Sequence, residues 1–280
     1  MRHNIFLTVL LCSLATWANA ENLNVKETWN ITARAGYNIG GTVPAGFPAE
    51  LRKINGYSPK FNYSIGIDAE RMLNDKFGVQ AAVLLDRKGF KGDVTMRQYD
   101  ITLDYSGSRI SGPYTGNVVA NIIQTGITIP VQVSWWLSDR AKLKFGPYAS
   151  FIVGRSLYGY AYGNKVYDAN GTWTGEYDAY LRNGWSIGSK IEIGNIETDD
   201  KGNVTSDSRG TFEGDDFNKF MRKFQYGLDL GLDYYFTHRI GAFADLSYGL
   251  NSAFTNEEGN PVNMGLHQLY LTVGITYKIK

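Results

Sequence analysis

An all-β fold, a single eight-stranded antiparallel transmembrane barrel of the outer-membrane type with long extracellular loops, is predicted by three features of this 280-residue sequence. Its last residues, 269–280, alternate apolar side chains (Leu269, Leu271, Val273, Ile275, Tyr277, Ile279) with Tyr270, Thr272, Gly274, Thr276 and Lys278, the period-two signature of a strand with one apolar face. Seven earlier segments repeat the alternation, which makes an even total of eight, as single-chain bacterial barrels have. The connections between them are alternately short and long. A final strand needs both of its edges satisfied, and pairing with the first strand would close the ring.

Taken in order, residues 29–40 set Trp29, Ile31, Ala33, Ala35, Tyr37 and Ile39 opposite Asn30, Thr32, Arg34, Gly36 and Asn38. Residues 61–72 set Phe61, Tyr63, Ile65, Ile67 and Ala69 opposite Asn62, Ser64, Gly66, Asp68 and Glu70. The third strand, 77–85, carries Phe77, Val79, Ala81, Val83 and Leu85 and runs on past Gly89. The fourth, 123–137, alternates Ile127, Ile129, Val131, Val133, Trp135 and Leu137 with Gly126, Thr128, Gln132 and Ser134. Pro130 within it lacks an amide donor and predicts a bend or bulge. Strands at 143–153, 224–236 and 240–250 follow the same rule, with Lys144, Asp229, Asp233 and Asp245 on their polar faces. Asn74-Asp75, Ser138-Asp139 and Thr237-His238 form tight turns. Residues 41–60, 92–120, 156–219 and 253–265 form the long connections. Short turns on one rim and long loops on the other put the turns and both termini in the periplasm.

The start of the chain points to export. Residues 1–20 combine a basic Arg2-His3, an apolar run and an Ala18-Asn19-Ala20 ending, which reads as a cleaved signal peptide. Residues 21–280 then form one barrel domain. Cys12 falls in the leader, so the mature chain uses no disulfide. Without Arg2 its 27 basic residues equal its 27 acidic ones, which gives no footprint for nucleic acid. Past the leader, no apolar run is long enough for a membrane-crossing helix.

An eight-stranded barrel can point its apolar face inward, as a soluble ligand carrier does, or outward to lipid. The polar faces here mix Gly66, Gly126, Gly146, Gly227, Gly231 and Gly274 with Asp, Gln, Thr and Arg, where a soluble surface would be rich in Lys and Glu. Small and polar residues suit a narrow, filled lumen. Phe77, Trp135, Trp136, Tyr234, Tyr235, Phe236 and Tyr277 cluster beside the short turns and read as an interfacial girdle.

Several strand motifs resemble the PorT-like outer-membrane β-barrel family of Bacteroidota. They are Ile127-Thr128-Ile129-Pro130-Val131, Phe145-Gly146-Pro147-Tyr148, the run Phe224–Gly231 and Leu246-Ser247-Tyr248-Gly249-Leu250-Asn251. Gln225 stands where that family has Asp, and Ile279-Lys280 end a chain whose relatives commonly close on an aromatic. The resemblance implies an outer-membrane barrel inserted by the barrel-assembly machinery, and admits a part in an envelope secretion apparatus. It implies no shared activity.

Arg34, Asp68, Glu70, Lys144, Asp229, Asp233 and Asp245 fall on lumen-facing positions. Charges in a narrow lumen must be paired, so they form a structural network or line a narrow solute or ion path. In the third long connection, Tyr160, Tyr162, Tyr167, Trp173, Tyr177 and Trp185 offer an extracellular contact surface, for sugar or for an unidentified envelope or extracellular protein, or simply extend the strands as a hairpin. Asp199-Asp200 and Asp215-Asp216 suit solvated loop charge or lipopolysaccharide bridging through divalent ions, without the spacing of an EF-hand loop. The two mature histidines, His238 and His267, fall at opposite rims, and no nucleophile elbow or zinc motif occurs. No cofactor, metal or catalytic residue is expected. The function predicted is that of a non-enzymatic structural or surface-interaction barrel in outer-membrane lipid and lipopolysaccharide.

Overall fold

The computed structural model describes residues 29–44, 51–105, 108–166, 185–188, 190–193, 196–198, 204–207, 210–213, 217–255 and 265–279. Eight long strands close into a ring: β1 (Trp29–Pro44), β3 (Tyr63–Met72), β4 (Phe77–Tyr105), β5 (Ser108–Trp136), β6 (Ala141–Val166), β12 (Phe224–Tyr235), β13 (Ile240–Ser252) and β14 (Leu266–Lys278). Each pairs antiparallel with its neighbour, β12 pairs with β6, and β14 returns to β1 with Ala35 opposite Ile275. No sheet edge is then left within the ring. Period-two patterning sets the facing throughout: Ile67, Val83 and Leu230 are exposed on the outside, while Asp68, Gln80 and Gln132 are buried inside.

The three short turns share one chemistry. In each, the side-chain oxygen of the first turn residue accepts from the amides two and three residues on: Asn74 from Lys76 and Phe77, Ser138 from Arg140 and Ala141, Thr237 from Arg239 and Ile240. Asn, Ser and Thr make such local turns because their short side chains reach their own backbone.

The other rim departs from the loops predicted there. Residues 92–120 are strand: β4 and β5 each run 29 residues and pair as far as Tyr105 opposite Ser108. At about 3.3 Å per residue that is roughly 95 Å, where a crossing strand needs about ten residues. The alternation of Val94 and Met96 changes phase to Tyr99, Ile101 and Leu103, and the register shifts between Met96 and Tyr99. One extra residue inverts the phase of the apolar pattern in the sequence beyond it, which hides the strand from a strict period-two reading. Residues 41–60 also contain a strand, β2 (Leu51–Pro59), paired to β4 above the end of β3. β6 reaches Val166 and pairs with β7 (Trp185–Gly188). Short strands β8 (Lys190–Ile193), β9 (Ile196–Thr198), β10 (Val204–Asp207) and β11 (Gly210–Glu213) form two small ladders, β9 with β10 and β8 with β11. A five-stranded sheet in the order β2-β4-β5-β6-β7 therefore continues beyond the barrel on the loop side.

Pro130 produces no bulge. Its register continues unshifted on both sides, although the ladder to β4 skips from Ala81–Val131 to Leu84–Thr128. The bulge lies instead at Val153, between the Thr125–Gly154 and Gly126–Ile152 pairs.

Aromatic side chains mark two levels on the outer surface. Near the turns, Phe77 stacks on Trp135 with ring centroids 6.0 Å apart, and Tyr234 meets Phe236 edge-on at 5.6 Å. Trp136 and Tyr235, expected in this girdle, face inward and stack on each other at 5.7 Å, because they fall one residue out of phase with Trp135 and Tyr234. A second belt, not predicted, joins Phe61 to Tyr63, Phe151 to Phe224 and Phe224 to Tyr226. On β12 the belts are eight residues apart, Tyr226 to Tyr234, or about 26 Å along the tilted strand, the scale of a bilayer's apolar band.

Candidate functional site

Among the described residues the lumen is lined by buried side chains whose chemistry changes with height, and a recess of about 750 Å³ opens at its turn-side mouth. At the turn end, the Trp136 indole donates to Glu70 at 3.2 Å, Ser134 donates to the same carboxylate, and Lys142 donates to Gln80 at 2.8 Å. Above this floor runs a belt of alternating charge. Asp68 meets Arg34 at 3.5 Å, and Arg34 also binds Asp245. Asp245 meets Lys144 at 3.0 Å, and Lys144 reaches Asp233 at 2.7 Å. Lys142 then joins Asp233 at 3.3 Å to Glu70 at 3.5 Å. Asp68 and Glu70 share β3, so the belt begins and ends on one strand after crossing β1, β13, β6 and β12. All seven residues are buried. An isolated charge here would carry a large desolvation cost, and alternation gives each cation two carboxylates.

Phe243 sits at the centre of this belt, with the Arg34 guanidinium 3.9 Å over its ring and the Lys144 ammonium 5.7 Å away. Glycines make the room. A Cβ on Gly36 or Gly274 would lie 2.8 Å from the Phe243 ring, and one on Gly231 would lie 2.2 Å from the Asp245 carboxylate.

Six of the seven lumen charges named from sequence are joined in this belt. The seventh, Asp229, lies just above it and is held by Gln132 at 3.3 Å and Ser247 at 3.1 Å. Lys142 and Phe243 escaped the sequence reading. Lys142 lies one residue before the predicted start of its strand, and Phe243 is an apolar residue at a polar-phase position. Further up, Lys88 lies 3.7 Å from Asp86 and against the rings of Tyr148 and Tyr270, and Gln124 accepts from Gln225 and Gln268.

An apolar plug closes the loop end. Ile122, Leu157, Phe220, Met221, Ala253 and Phe254 form one buried cluster, flanked by Phe90, Ala120 and Leu266. A short 3-10 helix, Phe217–Phe220, carries the chain in, and Met221 bridges to Phe254. The plug is pinned by polar bonds: Arg155 donates to the Met221 carbonyl, Arg222 to the Phe254 carbonyl at 3.1 Å, and the Leu157 amide to Asn218 at 2.9 Å. Sequence reading placed 253–265 outside as a loop. Its first residues turn inward because Ala253 and Phe254 find apolar partners only there.

Asparagines complete the backbone ladder near this end. The β1–β3 ladder stops at Gly36–Ser64, and above it the Asn38 amide donates to the Tyr63 and Arg87 carbonyls, while Asn62 donates to those of Asn38 and Gly89. The β12–β13 ladder stops at Gly227–Gly249, and Asn251 accepts from the Tyr226 amide at 3.0 Å and donates to the Phe224 carbonyl at 2.9 Å.

Of the predicted contact surface, Tyr160 and Tyr162 lie on β6 opposite Ser186 and Asn117, and Trp185 on β7 opposite Ala161. Tyr167, Trp173, Tyr177, Asp199-Asp200 and Asp215-Asp216 lie outside the described residues. His267 is bound to the Gly249 carbonyl at 2.8 Å and stacked on Tyr248, a structural role. Among the described residues no three His, Cys, Asp or Glu side chains group as a metal site.

A closed antiparallel ring, apolar outside between two aromatic belts and polar inside, defines an outer-membrane β-barrel. Residues 17–255 match the family described as outer membrane protein beta-barrel domain, and the chain belongs to that family. The match stops short of β14, the strand that closes the ring. Among solved structures, the chain is similar to the attachment invasion locus protein Ail of Yersinia pestis (8% identity, 91% of this chain and 100% of that one, TM-score 0.34). It is also similar to Neisserial surface protein A (11%, 91% and 100%, 0.33) and to OprG of Pseudomonas aeruginosa (11%, 90% and 97%, 0.34). No curated protein matches the sequence.

Proposed function

We propose that this barrel is a sealed, non-enzymatic anchor that holds the five-stranded sheet beyond the membrane as a surface for contact with other molecules. The charge belt and the apolar plug carry this reading: with every member of the belt paired and an apolar cluster above it, they support a lumen without a continuous wet path for ions. Single-channel recording in planar bilayers tests it: the purified barrel is expected to insert without current steps, and reproducible steps would make it a channel instead. Binding by the surface is read by deleting residues 167–185. Loss of attachment to the envelope or to its external ligand, with the barrel intact, is the expected result.

Three finer points belong to the same proposal. The loop rim faces outward and both termini face the periplasm, as the short-turn and long-strand asymmetry supports. Residues 1–20 act as the export signal, with delivery to the barrel-assembly machinery and insertion into lipid and lipopolysaccharide. PorT-like kinship within Bacteroidota rests on the order of the strand motifs. The ladder-completing bonds of Asn251 give the last residue of one motif a physical reason.

A further inference from the structure

We infer that a recess on the outer surface, at the loop-side end of β12, binds the phosphate monoester headgroup of a membrane lipid. β12 begins at Phe224 while β6 beside it runs on to Val166, which leaves a notch above Phe224. The notch is a recess of about 500 Å³ whose lining includes Arg155, Arg222, Lys223, Phe224, Tyr226 and Asn251. Phe224 and Tyr226 lie on the outward, lipid-facing phase of β12 and form the outer edge of the recess.

Three observations select the ligand. The first is charge. Three cations line one concavity, and no acidic side chain of the described residues pairs with any of them. The second is preorganisation. One donor of Arg155 is fixed on the Met221 carbonyl and one of Arg222 on the Phe254 carbonyl. A guanidinium has five N–H donors, and among the described residues one bond holds each arginine in place, with a planar fork that matches phosphate oxygens. The third is depth. Arg222 and Lys223 immediately precede Phe224, and Phe151, Phe224 and Tyr226 form the belt that marks the upper edge of the apolar band. A lipid whose phosphate enters the recess would lay its acyl chains over those rings. A phosphate monoester carries about −1.5 to −2 charges at neutral pH, more than a phosphodiester, and so fits a triple cation best.

The same arginines clasp the plug from behind, so an occupied recess would also stiffen the seal. The proposal requires a membrane-spanning barrel but not a sealed lumen, so current through the barrel would leave it standing.

The test is lipid retention by the full-length protein in native mass spectrometry, after reconstitution with phosphatidic acid or phosphatidylcholine. Wild type is expected to keep one phosphatidic acid in preference to phosphatidylcholine. Each membrane-proximal cation contributes about five-fold in affinity, so Lys223→Gln should weaken retention about five-fold and the Arg222→Gln/Lys223→Gln pair about twenty-five-fold. Lys223 is exposed, so its variant should fold, and the heat-dependent gel shift of the barrel checks both. Equal retention of the two lipids, or unchanged retention in Lys223→Gln and the double variant, overturns the proposal. Displacement of the lipid by an equal concentration of inorganic phosphate overturns it as well, by marking a site for free anion.

Discussion

The turn-side and loop-side halves of this lumen are filled by opposite means. On the turn side, ladders hold one register into three tight turns, and the interior holds seven buried charges in alternation. On the loop side, ladders stop early, asparagine side chains finish them, and the interior ends in an apolar cluster. Charge pairing is directional and needs a regular frame to hold donors and acceptors at fixed heights. Apolar packing is non-directional and tolerates a frame in which strands end at different levels and a chain dips inward. The regular half can therefore carry the belt, and the irregular half carries the plug.

Substitutions that remove one half's device should separate the two. Lys144→Met strands Asp233 and Asp245 without their shared cation in a buried site, and should cost about 3–5 kcal/mol. Urea unfolding of the vesicle-inserted barrel measures this, and Asp245→Asn in the same chain should recover part of it. A negligible loss would mean that water already screens the belt. Met221→Ala in the plug should cost about 3 kcal/mol by the cavity it leaves. If the plug is the principal seal, the same variant should show current steps in planar bilayers. Lost stability without current would assign the seal to the charge belt.

Smaller effects probe the frames. Asn251→Leu removes a donor and an acceptor that complete the β12–β13 ladder, and should cost about 1–2 kcal/mol. Its signature is faster amide deuterium exchange at Tyr226 with no change around the charge belt. Thr237→Ala removes one turn oxygen and should cost about 0.5–1 kcal/mol, with Ser138→Ala close to it. Unequal losses in those two turns would end the view that they share one chemistry.

Much of the barrel was legible in the sequence because lipid and a narrow lumen impose a strict period of two. Arg34, Asp68, Asp229 and Asp245 could be assigned to the interior from phase alone. Beyond the membrane that constraint lapses. The extension of β4 was obscured by a phase change at Arg97-Gln98, and β2 by its exposed, polar surface, although Val94, Met96, Tyr99, Ile101 and Leu103 carry the signal once one shift is allowed. The phase of Trp136 and Tyr235 is equally present in the sequence, one residue off that of Trp135 and Tyr234, and it sets their inward facing against the outward preference of aromatics beside a turn.

By itself the sequence determined the eight strands of the ring, the face of the charged side chains on them and the pairing of the last strand with the first, because these follow from local alternation and ring closure. Only the tertiary structure decided who meets whom inside. Arg34 finds Asp245 across 211 positions of chain, and Glu70 finds Lys142 across 72, because strand tilt and register set the heights at which opposite walls face each other. The plug depended on the same fact. Met221 and Phe254 resemble any loop-flanking apolar residues until the ring brings Ile122 and Leu157 beneath them.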